Sequence, residues 1–309
     1  RQVFIEVPNE DKKDEDGDVV GELILCLYGT RDAAYNWSET VATQLKGNGY
    51  KRGTAFPAVY FHEGKGIAVM VHGDDYLCTG PEGALKELRD QLATSFETKS
   101  SIMGEAQHLD KECNILNRII RCTQSGWEME ADQRHGEMIV KELELENCKG
   151  LSTPGVDEQI PEDDEALDGW KLTQYRSLAA RALYLSIDRP DIQFAVKELC
   201  RAMTSPTMSF WRMLIRVGKY LRARPRLIIR YDWQDPVDEI TKLSDANWAG
   251  CTKPRKSTSG GRLMVGHQLL KTYSKTEAII TLDKYLEENQ KTLNFVSQNK
   301  KVVLETLKN

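Results

Sequence analysis

The spacing of apolar and polar positions divides the chain into short strands and amphipathic helices. Residues 66–71 form an apolar run rich in β-formers, and 76–79 resume it before Gly80-Pro81, which predicts strand, tight turn and strand. Residues 81–96 then carry Ala84, Leu85, Leu88, Leu92 and Phe96 at helical spacing, with Pro81 near the first turn. This helix is expected to pack beneath the hairpin through Leu85, Leu88 and Leu92. A second hairpin is predicted from 118–122 and 127–130 around Thr123-Gln124-Ser125-Gly126, followed by a helix over 132–145. Residues 155–169, with Pro161 and Glu162-Asp163-Asp164-Glu165, read as a mobile acidic linker. Helices near 173–187, 191–204 and 207–223 follow, broken at Arg189-Pro190 and Ser205-Pro206, because the residue before proline avoids the helical region. Short strands are expected at 240–244, 261–265 and 269–274. The last 27 residues, 283–309, are polar and helix-prone.

The first hairpin carries the most distinctive chemistry, in Val71-His72-Gly73-Asp74-Asp75-Tyr76. Two adjacent carboxylates at a bend repel, and a bound divalent cation relieves that repulsion. Mg²⁺ suits such a pair, since it takes a few carboxylate oxygens and completes its shell with water and substrate phosphates. A solvated Gly-Asp turn accounts for the same letters, because both residues are common turn formers.

The flanking blocks carry a resemblance. Leu25-Cys26-Leu27-Tyr28-Gly29-Thr30-Arg31-Asp32-Ala33-Ala34-Tyr35-Asn36-Trp37 precedes the hairpin, with Pro57-Ala58-Val59-Tyr60 between. Downstream come Phe96-Glu97-Thr98-Lys99 with Met103-Gly104-Glu105, and Ser152-Thr153-Pro154. Tyr175-Arg176-Ser177-Leu178, Leu183-Tyr184-Leu185 and Arg189-Pro190-Asp191-Ile192-Gln193-Phe194-Ala195-Val196 continue the series. Ser244-Asp245-Ala246-Asn247-Trp248 and Arg255-Lys256-Ser257-Thr258-Ser259-Gly260 close it. In this order the blocks resemble the reverse transcriptase and the start of the ribonuclease H domain of Ty1/copia-type retrotransposon Pol polyproteins, over roughly residues 1–282. His72-Gly73 stands where the family usually has Tyr-Val, and Thr30-Arg31-Asp32 replaces Leu-Lys-Gln. Val3-Phe4-Ile5-Glu6-Val7-Pro8 resembles the strand that follows the first polymerase aspartate, so that aspartate is not expected in this chain. Beyond Leu282 the family pattern is lost.

The resemblance implies an α+β fold. Its parts are a reverse-transcriptase palm lacking its first portion over 1–150, an acidic linker over 151–170 and a basic helical thumb or connection over 171–235. A partial ribonuclease H-like sheet over 236–282 and a divergent tail over 283–309 follow. It implies RNA-directed DNA synthesis on a template-primer from deoxynucleoside triphosphates, with Mg²⁺ or Mn²⁺ held by Asp74 and Asp75. Asp245 matches the first ribonuclease H carboxylate and metal ligand, and Gly29 lies in the nucleotide-pocket block. The remaining Pol segments are the implied protein partners. The expected location is intracellular, either cytoplasmic and particle-associated or nuclear. The alternative within the same ancestry is a non-catalytic nucleic-acid-binding or assembly remnant.

Charge changes this picture only when it is divided along the chain. The net charge of −5 conceals 13 Lys and Arg against 3 Asp and Glu over residues 171–230, and 17 against 34 over residues 1–170. Arg216, Lys219, Arg222, Arg224, Arg226 and Arg230 cluster in the basic stretch and are the expected phosphate-backbone contacts. A helical bundle with a solvated basic face is the competing reading. Seven cysteines without paired spacing argue for free thiols and against a disulfide framework or a zinc site. No apolar run approaches the roughly 18 residues of a membrane span.

Overall fold

The computed structural model describes residues 3–7, 10, 20–27, 29–156, 160–161, 163–237, 239–247 and 256–280, with side chains through 277. Strands and helices are mixed, as the α+β expectation requires, and the chain separates into two compact units, Arg1–Ile102 and Met103–Asn309.

In the first unit, β1 (Phe4–Glu6) pairs antiparallel with β2 (Val20–Glu22), and α1 (Ala33–Gly47) follows. A four-stranded antiparallel sheet comes next, ordered β3 (Lys51–Arg52), β4 (Val59–His62), β5 (Ile67–His72), β6 (Asp75–Thr79), and α2 (Glu82–Ala93) ends the unit. Alternation along the strands gives the sheet two faces. Tyr60, Ile67 and Val69 point to one side and are buried against Val41, Ala42 and Leu45 of α1 and Leu88 and Leu92 of α2. Val59, Met70 and Leu77 stand in register on the other side and remain exposed. The helix expected over 81–96 is shorter at both ends. Pro81 takes the N-cap position in an extended conformation, and Phe96 N donates to Leu92 O in a closing turn.

The second unit begins with β7 (Glu112–Ile115), β8 (Arg118–Thr123) and β9 (Gly126–Glu130), followed by α3 (Gln133–Glu142). Helices α4 (Gly169–Leu185), α5 (Gln193–Arg201) and α6 (Met208–Ala223) then pack with α3 around Tyr175, Leu178, Ile192, Leu199, Leu214 and Leu221. After them β10 (Ile228–Asp232) joins the edge of β9, giving the sheet order β10-β9-β8-β7. Strands β11 (Ile240–Asn247), β12 (Lys256–Val265) and β13 (Gln268–Ile280) form a separate antiparallel meander, longer than the sequence pattern suggests.

Two expectations are corrected here, the helical character of 171–235 and the mobility of the acidic linker. The stretch 171–235 is not helical throughout, because Ile228–Asp232 is a strand whose Ile229 and Tyr231 are half-buried while Ile228, Arg230 and Asp232 are exposed. The compact units divide at Ile102/Met103, and the second hairpin lies in the same unit as the helices. The acidic linker is docked where it is described. Leu167 is buried and its N–H donates to Pro206 O, Met208 N donates to Glu165 O, and the Asp164 carboxylate accepts from Ser209 N at 3.2 and 3.3 Å. A carboxylate on the first turn of α6 satisfies an otherwise orphan N–H and complements the helix dipole. Glu162 and the tail expected over 283–309 lie outside the described residues.

Two buried charges lock the second unit. Arg189 is only 2% exposed, binds Asp191 through both Nε and Nη2, and donates to the carbonyls of Arg224 and Pro225. Tyr220 Oη donates to the same Asp191 carboxylate at 2.9 Å. Glu130, 1% exposed, receives a paired contact from Arg226 at 2.6 and 2.7 Å and another from Arg121 at 2.8 Å. Both ties hold the chain just after α6, which is what delivers β10 to the sheet.

Candidate functional site

The Asp-Asp turn is a two-residue hairpin loop. His72 pairs with Asp75, leaving Gly73 and Asp74 as the loop, with Asp75 as the first residue of β6. Gly73 has φ +62°, whereas Asp74 is not among the residues of positive φ. Those signs are the type II′ pattern, which matches the right-handed twist of the flanking strands and calls for glycine at the first loop position. Both aspartates are exposed. Asp75 shares the open face of the sheet with Leu77 and Thr79, while Tyr76 and Cys78 turn toward the helices.

The groups behind the turn are neutral. Burial pushes the Tyr76 hydroxyl up to about 12 and the Cys78 thiol up to about 11, so neither ionises near pH 7. Cys78 is therefore not an activated nucleophile.

The block before α1 reaches this turn through one side chain. Trp37 Nε1 donates to Gly73 O at 2.6 Å, and the indole meets the Phe96 ring edge-on at 5.3 Å. Ser38 and Glu39, the next two residues, are held by Arg52 of β3, whose Nη2 donates to Ser38 Oγ and whose Nη1 binds Glu39 Oε1. Arg52 Nε also donates to Pro57 O at 2.7 Å. Gly29 lies in the turn where Thr30 N donates to Leu27 O at 3.1 Å. Its φ is +90°, and a Cβ at this position would meet nothing within 4 Å, so glycine is required there by conformation and not by crowding. Tyr28 lies outside the described residues.

Asp74 and Asp75 offer adjacent hard oxygens in solvent, which suits one Mg²⁺ completed by water and phosphate. Among the described residues no group of three or more His, Cys, Asp or Glu gathers into a metal cluster. Asp245, in the middle of β11 opposite Gly260, is exposed, and its Oδ1 accepts from Ala246 N at 2.9 Å. It borders an open groove of about 640 Å³ shared with Phe194, Arg262 and Tyr273, with no second carboxylate lining it among the described residues. A lone carboxylate does not fit the ribonuclease H ion pair. Trp248, Cys251 and Arg255 lie outside the described residues.

The structure divides the basic cluster. Arg226 is committed to buried Glu130, and Arg230 pairs at 3.3 Å with Glu128, its cross-strand neighbour. Arg216 donates to Thr153 Oγ1 and Arg222 to Glu146 O, fastening the segment after α3 to α6. Only Lys219 and Arg224 in the cluster have side chains without a bonded partner among the described residues. Sequence reasoning did not single out Trp37, Arg189 or Glu130 individually. For the first two the available signal was their place inside the matching blocks.

Comparison with known proteins identifies the family. The family model "Reverse transcriptase (RNA-dependent DNA polymerase)" matches residues 1–157. The Retrovirus-related Pol polyprotein from transposon TNT 1-94 of Nicotiana tabacum is 24% identical over 91% of this chain and 21% of its own length. The corresponding polyprotein from transposon RE2 of Arabidopsis thaliana is 28% identical over 84% of this chain and 17% of its own. An uncharacterised mitochondrial protein of Arabidopsis thaliana is 25% identical over 69% of this chain and 85% of its own. The chain thus spans about a fifth of the Pol polyproteins it matches. No solved structure matches it significantly. The chain belongs to the reverse transcriptase family, within the copia-type retrotransposon Pol polyproteins.

Proposed function

We propose that the first unit is part of a polymerase palm and that Asp74 and Asp75 contribute metal ligands for nucleotidyl transfer on a template-primer. The observation that carries this reading is the exposed II′ turn, which carries two successive aspartates on a sheet braced from behind by α1 and α2. Asp74 stands at the tip and is the better direct ligand, with Asp75 the second. A bound Mg²⁺ or Mn²⁺ supplies charge to the phosphates and to the primer hydroxyl. The protein's own part is to fix the carboxylates on a stiff hairpin, to keep Tyr76 and Cys78 neutral behind them, and to leave the Asp75 face open.

This reading makes metal affinity depend on the turn. Water-proton relaxation in a Mn²⁺ titration of the full chain should show a site that Asp74→Asn weakens by about tenfold or more, since half of the protein's charged donors disappear. Equal relaxation enhancement in both proteins would count against the assignment. Two carboxylates alone do not make a two-metal site, so primer extension with either ion is expected to need a further metal ligand besides this pair.

A second reading rests on that same count of two. A palm that keeps its fold and contacts nucleic acid without catalysis needs only the basic surface. Lys219 and Arg224 are the proposed contacts, with Arg222 contributing charge beside its carbonyl bond. The double substitution Lys219→Gln and Arg224→Gln should lower the slope of log affinity on log salt by about 1.5, near 0.7–0.9 per phosphate contact. An unchanged slope would favour a basic face that is merely solvated. The ribonuclease H-like assignment of β11–β13 and the thumb assignment of α4–α6 are proposals of the same standing, with deoxynucleoside triphosphates and the remaining Pol segments as partners.

A further inference from the structure

We infer that Trp37 is the positioning residue of the Asp-Asp turn: its indole N–H sets the plane of the Gly73–Asp74 peptide and so the direction in which Asp74 presents its carboxylate. The inference rests on the metal-ligand reading of Asp74 for its functional meaning, and on geometry alone for its structural part.

Type I′ and type II′ turns share a positive φ at the first loop residue and differ by a flip of the peptide that joins the two loop residues. The oxygen of that peptide is Gly73 O, the acceptor of the 2.6 Å bond from Trp37 Nε1. A donor fixed on this oxygen holds one flip state, and with it the non-positive φ of Asp74. Glycine at 73 tolerates either state, and a Cβ at this position would meet nothing within 4 Å, while aspartate at 74 disfavours the flipped state only mildly, since Asp enters the left-handed region more readily than most residues. The donor itself is fixed. Its ring packs edge-on against Phe96, and its neighbours Ser38 and Glu39 are clamped by Arg52, which also binds Pro57 O. The indole has one polar atom, a donor, and that atom is spent on this carbonyl.

The test uses the full chain and the variant Trp37→Phe, which keeps an aromatic ring at this position, smaller than the indole, and removes the donor. In ¹⁵N NMR spectra the Gly73 and Asp74 amides should shift and broaden in the variant, as two turn conformers exchange, while resonances of α2 and of the second unit stay in place. Unchanged Gly73 and Asp74 amides and couplings would overturn the inference, whatever the metal does. If the variant fails to fold, Phe96→Leu provides the second route, since loosening the ring should broaden the same two amides with the donor still present. Their retention in Phe96→Leu would overturn it equally. In the Mn²⁺ titration, Trp37→Phe should raise the dissociation constant about three- to tenfold, the range a single lost hydrogen bond corresponds to. An Asp74-dependent Mn²⁺ site indifferent to Trp37 would refute the positioning role and spare the metal assignment. Shifted amides with no Asp74-dependent Mn²⁺ site would do the reverse.

Discussion

Replacing Arg189 with alanine is expected to destabilise the second unit by about 3–5 kcal/mol, the usual effect of removing one partner from a buried ion pair. The side chain is only 2% exposed, and it donates five hydrogen bonds. Without it Asp191 keeps, among the described residues, the Tyr220 hydroxyl, and the carbonyls of Arg224 and Pro225 lose the Arg189 donor. Those carbonyls lie where the chain leaves α6 for β10, so the loss should first free β10 from the edge of β9. Urea unfolding followed by far-ultraviolet dichroism measures the loss. Hydrogen exchange at residues 228–232 should rise before exchange in α4. A change under 1 kcal/mol would mean that Arg189 is solvated in the folded protein.

The second large effect is at Glu130. The Arg226 guanidinium, aided by Arg121 and Gln133, holds this carboxyl at about 2 against an ordinary 4.5. A depressed value in the folded state means that the stabilisation is complete above the unfolded-state value and disappears as pH falls through the folded one. Glu130 should therefore contribute about 3 kcal/mol at neutral pH, falling away between about pH 4.5 and 2. Glu130→Gln removes the charge and keeps the shape. The variant should be less stable than the parent by that amount at pH 7 and nearly equal to it at pH 2, as read by denaturant midpoints across the range. A difference that persisted unchanged at pH 2 would place the effect in packing.

The local parts of this fold are legible in the sequence and the long-range parts are not. The hairpin of β5 and β6 follows from alternation around a Gly-Asp pair, and α2 follows from Leu85, Leu88 and Leu92 at helical spacing. Helices α4 to α6 follow because Pro190 and Pro206 punctuate one apolar period. By contrast, β10 sits inside an arginine-rich stretch, and its strand character depends on β9, which comes nearly a hundred residues earlier. Arginines at 189 and 226 and a glutamate at 130 look like surface residues in one dimension. Only the folded chain brings opposite charges and bare carbonyls close enough to bury them. The linker misled for a related reason: Asp164 reads as a solvated acid until the first turn of α6 is placed against it.

The candidate site divides in the same way. Asp74 and Asp75 are visible as letters because the turn that holds them is local. Trp37 belongs to a recognisable block, but its bond to Gly73 depends on how α1 lies on the sheet. The basic cluster looked uniform, yet the fold uses Arg226 and Arg216 internally and leaves Lys219 and Arg224 for solvent or phosphate.

The most direct measurement replaces the matching region of the tobacco Pol polyprotein with this chain and follows primer extension on an RNA template in Mg²⁺. Extension by the chimera should be abolished by Asp74→Asn, with template binding changed less than about twofold, because the carboxylate acts on the ion and not on the nucleic-acid backbone. Extension that survives Asp74→Asn would contradict the assignment of the turn as the polymerase site.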